Sequence, residues 1–527
     1  MPGKILFLNG RFHTCDKKAR LAEAVAVDGG YITDVGSSVM LRSLSRRGYK
    51  LIDLQKKCVI PGIIDSHLHL LSLGTHFSRV DLDGIGALDK VTAILRKAAA
   101  RLRPGQWLLG RGWNKNLWGE AFPNKSILDA ITDNPVALDS KDGHLLWVNT
   151  AALDYCRITS ATRNPEGGVI EHDTTGEPTG ILKENAADLV TNRIPSLSFD
   201  QMKEAVQLAQ KHLLMLGITG VGECDSEKGL FSVYHELETK GQLHLRIFKM
   251  ISIQKFQRTI DFKFHTRFGT EHLRTGCLKL FADGALGSQT AYMFKPYKGS
   301  RDNFGVQILT PEEISDYIFR AVNAGISVAI HAIGDKANHQ ALSAMGKHMA
   351  RFREAGLRPR IEHAQVLRAS DISMFAKSGV VASVQPIHAT SDRDIADRYW
   401  GVRSRHAYPF KTFLKTGVRV AFGSDAPIET ANPMPGIHAA VTRKRAGENR
   451  PAWYPEQRIS RRQAVECYTL GSAYACCYDD IAGSISIGKR ADLAVLSDDI
   501  FEIKEDAIAD TKVLMTVIDG RIAFGMM

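Results

Sequence analysis

From about residue 200 onward the chain has a rhythm that few folds accommodate. Short apolar runs of strand length recur at Ile218–Cys224, Leu245–Ile251, Leu278–Phe281, Ser327–Ile330, Arg360–Ile361, Val380–Val384 and Val418–Phe422, and Val59–Ile64 makes eight. Helical stretches mostly alternate with them: Asp200–Leu216, Pro311–Ala324, His339–Ala355, Ala369–Lys377 and Tyr408–Leu414. Gly217, Gly325, Gly379 and Gly417 stand just before strands, where a glycine ends the preceding helix. Eight such units predict an α/β fold, a (β/α)8 TIM-like barrel. An open doubly wound sheet would use the same rhythm, but no Gly-x-Gly-x-x-Gly follows the first strand.

The two chain ends read differently. Lys4–Leu8, Ala24–Val27 and Tyr31–Val35 are short strands punctuated by Asn9-Gly10 and Asp28-Gly29-Gly30. Gly483–Ile487, Asp492–Leu496, Val513–Ile518 and Arg521–Phe524 repeat the style, with an Asp519-Gly520 turn. We expect residues 1–58 and 479–527 to pair as one small β-sandwich, beside a barrel domain over 59–478. Residues 72–200 break the barrel rhythm. They are rich in Trp, Gly and Pro, and read as an inserted α+β lobe covering the site.

Composition narrows the function. Hydrophobic residues at 44% and charged residues at 24% fit a globular chain. The net charge of +11 is spread over pairs and one triplet, Arg443-Lys444-Arg445, so a solvated surface is expected rather than a nucleic-acid or membrane interface. The eight cysteines form no Cys-x-x-Cys pair, which suits a reducing compartment. The apolar run at the N-terminus is too short for a signal peptide, and a cytoplasmic location is expected.

Chemistry in a barrel concentrates at the C-terminal strand ends. The first run leads to His67 and His69, two positions apart and therefore on one face of a strand. The fourth carries Lys279, the fifth ends in His331, the sixth in His363, and the eighth in Asp425 within Gly423-Ser424-Asp425-Ala426-Pro427. His388 follows the seventh. Any one histidine of this kind reads first as a packed or satisfied core residue. Four of them with a carboxylate at the ends of one barrel suit zinc or a similar divalent ion. A lysine inside a strand is costly unless its charge is paired or chemically removed.

These residues resemble the amidohydrolase superfamily. Pro61-Gly62-Ile63-Ile64-Asp65, Phe281-Ala282-Asp283-Gly284-Ala285-Leu286-Gly287-Ser288, His331-Ala332-Ile333-Gly334-Asp335 and Val384-Gln385-Pro386 resemble its YtcJ-like branch, which includes N-substituted formamide deformylases. The resemblance implies a divalent-metal cofactor, two zinc ions with a single ion left open. His67, His69 and Asp425 would hold one ion, and His331 and His363 the other. Lys279, converted to N6-carboxylysine, would bridge them. It further implies that a metal-bridging hydroxide attacks the substrate carbonyl, while Asp425 carries a proton to the leaving nitrogen.

The expected activity is hydrolysis of C–N bonds in N-formyl or N-acyl amines. A cyclic amide or amidine hydrolase, a deaminase, and a non-catalytic binding protein on the same fold are the alternatives. Asp335, four residues after His331, keeps the deaminase open. Asp283 is expected to orient its Gly-rich loop. His388 is a candidate contact to substrate or transition state, and Trp113, His144, Trp147, Gln289, Thr290 and Arg403 are candidate substrate contacts, with packing or an acid partner as their ordinary roles. The expected partner is a small-molecule amide, and homodimerisation is left open.

Overall fold

The computed structural model describes residues 3–118, 122–140, 145–165 and 168–525. The chain divides into two compact units, Met1–Leu73 with Val206–Met527, and Gly74–Ala205. Within the first, eight parallel strands form the predicted barrel: β1 (Ile63–Leu68), β2 (Ile218–Glu223), β3 (Arg246–Ser252), β4 (Leu273–Phe281), β5 (Val328–Ala332), β6 (Arg360–His363), β7 (Val381–Val384) and β8 (Val420–Phe422). Each pairs with the next in sequence order.

Among the described residues no ladder joins β8 to β1. Individual bonds cross that seam instead. Asp425 N donates to His67 O at 2.8 Å, His69 N donates to Ala426 O at 2.9 Å, and Ser424 N donates to the Asp65 carboxylate at 3.0 and 3.1 Å. The seam is therefore stitched by the residues flanking the candidate ligands.

The apolar run at 59–64 is two strands, not one. Cys58–Pro61 pairs with Arg11–His13 and Leu493–Leu496 in a separate sheet, and only Ile63–Leu68 enters the barrel. Gly62 is the joint. A Cβ there would sit 2.4 Å from Thr219 Oγ1 on β2, so only glycine lets the chain pass this close. The six-stranded sheet to which Cys58–Pro61 belongs also contains Val513–Ile518 and Arg521–Phe524, so both chain ends contribute to it. A four-stranded sheet of Tyr31–Gly36, Ala24–Asp28, Ile5–Leu8 and Lys50–Asp53 lies alongside. Phe7, Val25 and Val27 from the one and Phe12, Val59, Leu493 and Val517 from the other share a core.

The unit Gly74–Ala205 has its own six-stranded sheet, buried on both faces. Along its central strands neighbours alternate between two cores. Val136, Leu138, Trp147 and Ile181 pack in one, and Ala137, Leu146, Val148 and Leu182 in the other, as period-two geometry requires. The eight cysteines are all unbridged, and among the described residues no helix is long and apolar enough to cross a membrane.

Candidate metal centre and active site

The strand ends bring the predicted ligands together. His67 and His69 each place Nε2 3.5 Å from the same oxygen, Oδ1 of Asp425. Their other ring nitrogens are held by carboxylates. His67 Nδ1 is 2.5 Å from Glu362 Oε2, and His69 Nδ1 is 3.1 Å from Asp225 Oδ1. A carboxylate on Nδ1 fixes the ring and leaves Nε2 free to bind a metal. Glu362 is itself paired with Arg360, and Asp225 also accepts from Leu71 N at 2.7 Å and Ser72 Oγ at 2.7 Å.

Electrostatics separate the two rings. Burial, with the charge of Lys279 nearby, lowers His67 to about 4 in spite of Glu362. Burial also disfavours the charged form of His69, but hydrogen bonds to Asp225 and Asp425 lift it to about 9. Asp425 is buried, which favours its neutral form, yet the surrounding imidazoles of His69, His67, His363 and His388 hold it well below the usual carboxylate range.

The remaining histidines form the other half. The rings of His331 and His363 meet at 4.5 Å between centroids, and His363 lies 5.0 Å from His67 and stacks on His388 at 6.1 Å. His331 Nε2 faces Gly284 O at 3.0 Å. Burial and Lys279 lower His331 to about 3, and burial pushes His363 well below its ordinary value. His388 Nε2 is 4.0 Å from Asp425 Oδ2. Among the described residues, His67, His69 and Asp425 form one triplet able to hold a metal and His363, His388 and Asp425 another, the ligand atoms of each lying within 4.8 Å of one another.

Three buried nitrogens at this cluster have no hydrogen-bond partner: Lys279 Nζ, His363 Nδ1 and His388 Nε2. Unsatisfied donors and acceptors of this kind are expensive unless something else engages them. Clustered imidazoles, one ionised carboxylate and a buried amine form a donor set that fits divalent metal.

The description "Amidohydrolase family" matches residues 50–524. The chain belongs to the amidohydrolase family. Within it the chain falls in the YtcJ-like branch: it is 33% identical to YtcJ of Bacillus subtilis over 99% of both chains, and 28% identical to the N-substituted formamide deformylase of Arthrobacter pascens over 99% of this chain and 98% of that one. The Protein LONG AFTER FAR-RED 3 of Arabidopsis thaliana is 35% identical over 98% of this chain and 91% of its own length. The crystal structure of an uncharacterized metal-dependent hydrolase from Pyrococcus furiosus superposes with a TM-score of 0.81 at 30% identity, over 95% of this chain and all of that one. The protein is thus a hydrolase, and its family implies a divalent metal.

The remaining candidate residues of this amidohydrolase are held mainly by packing and by backbone contacts. Trp113 is a core residue of the unit Gly74–Ala205. It is 1% exposed, its Nε1 donates to Leu138 O at 2.8 Å, and its ring packs 6.1 Å from Trp118 and 6.0 Å from Trp147. Trp147 is buried in the same core. Arg403 forms no ion pair among the described residues. Its donors go to the backbone carbonyls of Trp400, Lys295 and Pro296, at 3.1, 2.8 and 2.8 Å, which leaves its planar fork occupied in tying two loops. His144 lies outside the described residues. Gln289 is half-buried in the turn after β4, and the neighbouring Thr290 Oγ1 accepts from Ala285 N at 2.9 Å. Asp283 accepts from Tyr292 N, Ile333 N and Gly334 N at 2.8, 3.0 and 2.8 Å, and so ties the loops after β4 and β5 together.

Glu362 and Asp225 went unassigned in the sequence. Their signals were there: Arg360 and Glu362 put opposite charges on one face of a buried strand, and Glu223 and Asp225 are acids at the end of another. One further feature has no sequence signature. Glu362 and His363 are consecutive, so regular strand geometry would send them to opposite faces. His363 has φ +69° and Ala364 φ +40°, and this break in the strand lets both side chains serve one cluster.

Proposed function

We propose that this amidohydrolase cleaves the C–N bond of a linear amide, an N-formyl or N-acyl amine. The observation that carries the reading is Lys279, whose Nζ is buried beside the imidazoles without a hydrogen-bond partner. The amine can add CO2 with loss of a proton, and the carbamate so formed is an anion with two oxygens, matched to metal. In this reading His67, His69 and Asp425 would hold one divalent ion, His331 and His363 a second, and carboxylated Lys279 both, with zinc the expected metal. When bound, the ions polarise the substrate carbonyl and acidify a water.

The protein's own groups supply the rest. Asp425, kept ionised by its imidazole neighbours, takes a proton from the attacking water and delivers it to the leaving nitrogen. His388, with Nε2 free and 4.0 Å from Asp425, donates to the carbonyl oxygen as charge develops on it. Gln289 is retained as a substrate contact from the turn after β4. The N-formyl preference draws support from the deformylase relative. The deaminase reading loses ground because Asp335 accepts from Phe294 N at 2.9 Å and starts the helix Asp335–Glu354.

The test is hydrolysis by the metal-loaded protein, read as amine release from N-alkyl and N-aryl formamides and matched acetamides, as ring opening of lactams and as acid release from esters. Turnover of the linear amides supports the proposal. Turnover confined to lactams or esters overturns it.

A further inference from the structure

Strand β4 turns three residues to the inside of the barrel in steps of two. Cys277 is the deepest and packs in a core with Ile64, Met250 and Ala329, from β1, β3 and β5. Lys279 stands at the ligand cluster with its Nζ buried. Phe281 is the last residue of the strand, about 6–7 Å further towards the mouth. Exposure rises along this line, from 1% at Cys277 and 5% at Lys279 to 42% at Phe281.

The pairing of β4 with β5 sets Phe281 beside His331, and the two rings meet at 5.1 Å between centroids. Lys279 Nζ lies 5.2 Å from the centre of the same ring. One side of the Phe281 ring therefore rests on the ligand cluster, and the rest is open. Ile333, two residues beyond His331 on the next strand, is buried, so an open apolar side chain is not general to these strand ends. Open aromatic surface beside the reacting centre is stabilised when an apolar group covers it.

The order of the strands gives the direction. With eight strands in sequence order, β4 is four places from β8 either way round and faces it across the mouth. The rings trace the half-circle between them. Phe281 meets His331 at 5.1 Å, His331 meets His363 at 4.5 Å, His363 meets His388 at 6.1 Å, and His388 Nε2 is 4.0 Å from Asp425 Oδ2. A substrate with its leaving nitrogen at Asp425 and its carbonyl carbon at the cluster points its acyl substituent across to β4.

We propose that Phe281 is a specificity-determining residue whose open ring receives an apolar acyl chain, so that the preferred substrates are N-acyl amines with an aliphatic or aryl acyl group. The proposal rests on the amide reading above and on Asp425 as the donor to the leaving group. A formamide carries only hydrogen on its carbonyl carbon and forgoes this contact. Of the two substrates in that reading the ring favours the N-acyl amine, against the lead of the deformylase relative.

Two isomers that carry one pentyl chain on opposite sides of the amide test this: N-methylhexanamide and N-pentylacetamide. The metal-loaded protein should show kcat/KM about tenfold higher for N-methylhexanamide, and Phe281→Ala should lower that ratio about tenfold. Phe281→Leu, which keeps an apolar side chain, should give an intermediate ratio. A ratio that Phe281→Ala leaves unchanged overturns the proposal, including the case where both compounds slow equally, since the ring would then only support His331. A ratio that rises in Phe281→Ala also overturns it and puts the ring on the amine side. If neither amide is cleaved but esters are, the amide reading has failed. The same ratio, read on the isomers methyl hexanoate and pentyl acetate, then decides the role of Phe281 by the same criterion. Turnover of none of the four overturns both.

Discussion

The two halves of the metal-ligand cluster are built differently. In the half formed by His67 and His69, each ring is gripped from behind by a carboxylate, Glu362 or Asp225. In the half formed by His331 and His363, one ring's Nε2 faces the Gly284 carbonyl, with Asp283 Oδ1 more distant at 3.9 Å, and the other leaves a buried Nδ1 without a partner. The first pair is oriented before any ligand arrives. The second takes its orientation from ring packing and from whatever it binds. In the proposed two-ion reading the first half should hold its ion more firmly than the second, because carboxylate partners both lock the imidazole and raise its basicity.

Breaking what both halves share should have the largest effect. Asp425→Asn should leave the protein folded and lower kcat by ~10²–10⁴-fold, the range for loss of a proton-transferring group; an unchanged kcat would reject its role. Next comes the residue proposed to join the halves. Lys279→Ala should reduce turnover by roughly 10²-fold or more through loss of metal-based charge stabilisation, with partial rescue by short carboxylic acids. Full activity in that variant removes the lysine from the mechanism.

Asp225→Asn addresses the difference between the halves directly. Metal titration against a chelator should show affinity in the His67–His69 half falling by about 10–100-fold, with the other half unaltered. Equal weakening of both would mean that the carboxylates do not distinguish them. The smallest effect is expected in the separate unit Gly74–Ala205. Trp113→Phe removes one buried hydrogen bond and should cost about 1 kcal/mol in urea denaturation, without altering kcat. A large change in kcat there would return Trp113 to the list of substrate contacts.

The barrel was legible because its strands are short apolar runs at regular spacing, and the candidate ligands were legible because they stand where those runs stop. The boundaries were less so. Val59–Ile64 looks continuous in hydropathy, and only the approach of Thr219 to Gly62 reveals that two sheets share it. The aromatic residues of the insertion misled for a related reason: Trp113 and Trp147 look the same in sequence whether they line a pocket or fill a core, and alternation within their sheet puts them in the core.

The sequence by itself therefore determined the fold class and which side chains stand at the strand ends, since period-two alternation and hydrophobic spacing are local properties, while the family rested on the resemblance of its motifs. Tertiary structure alone decided how those side chains are held. Glu362 meets His67 across 295 positions and Asp225 meets His69 across 156, and no local pattern encodes such pairings. They exist because the barrel turns side chains from its first, second, sixth and eighth strands towards one interior, where burial makes each charge seek a partner.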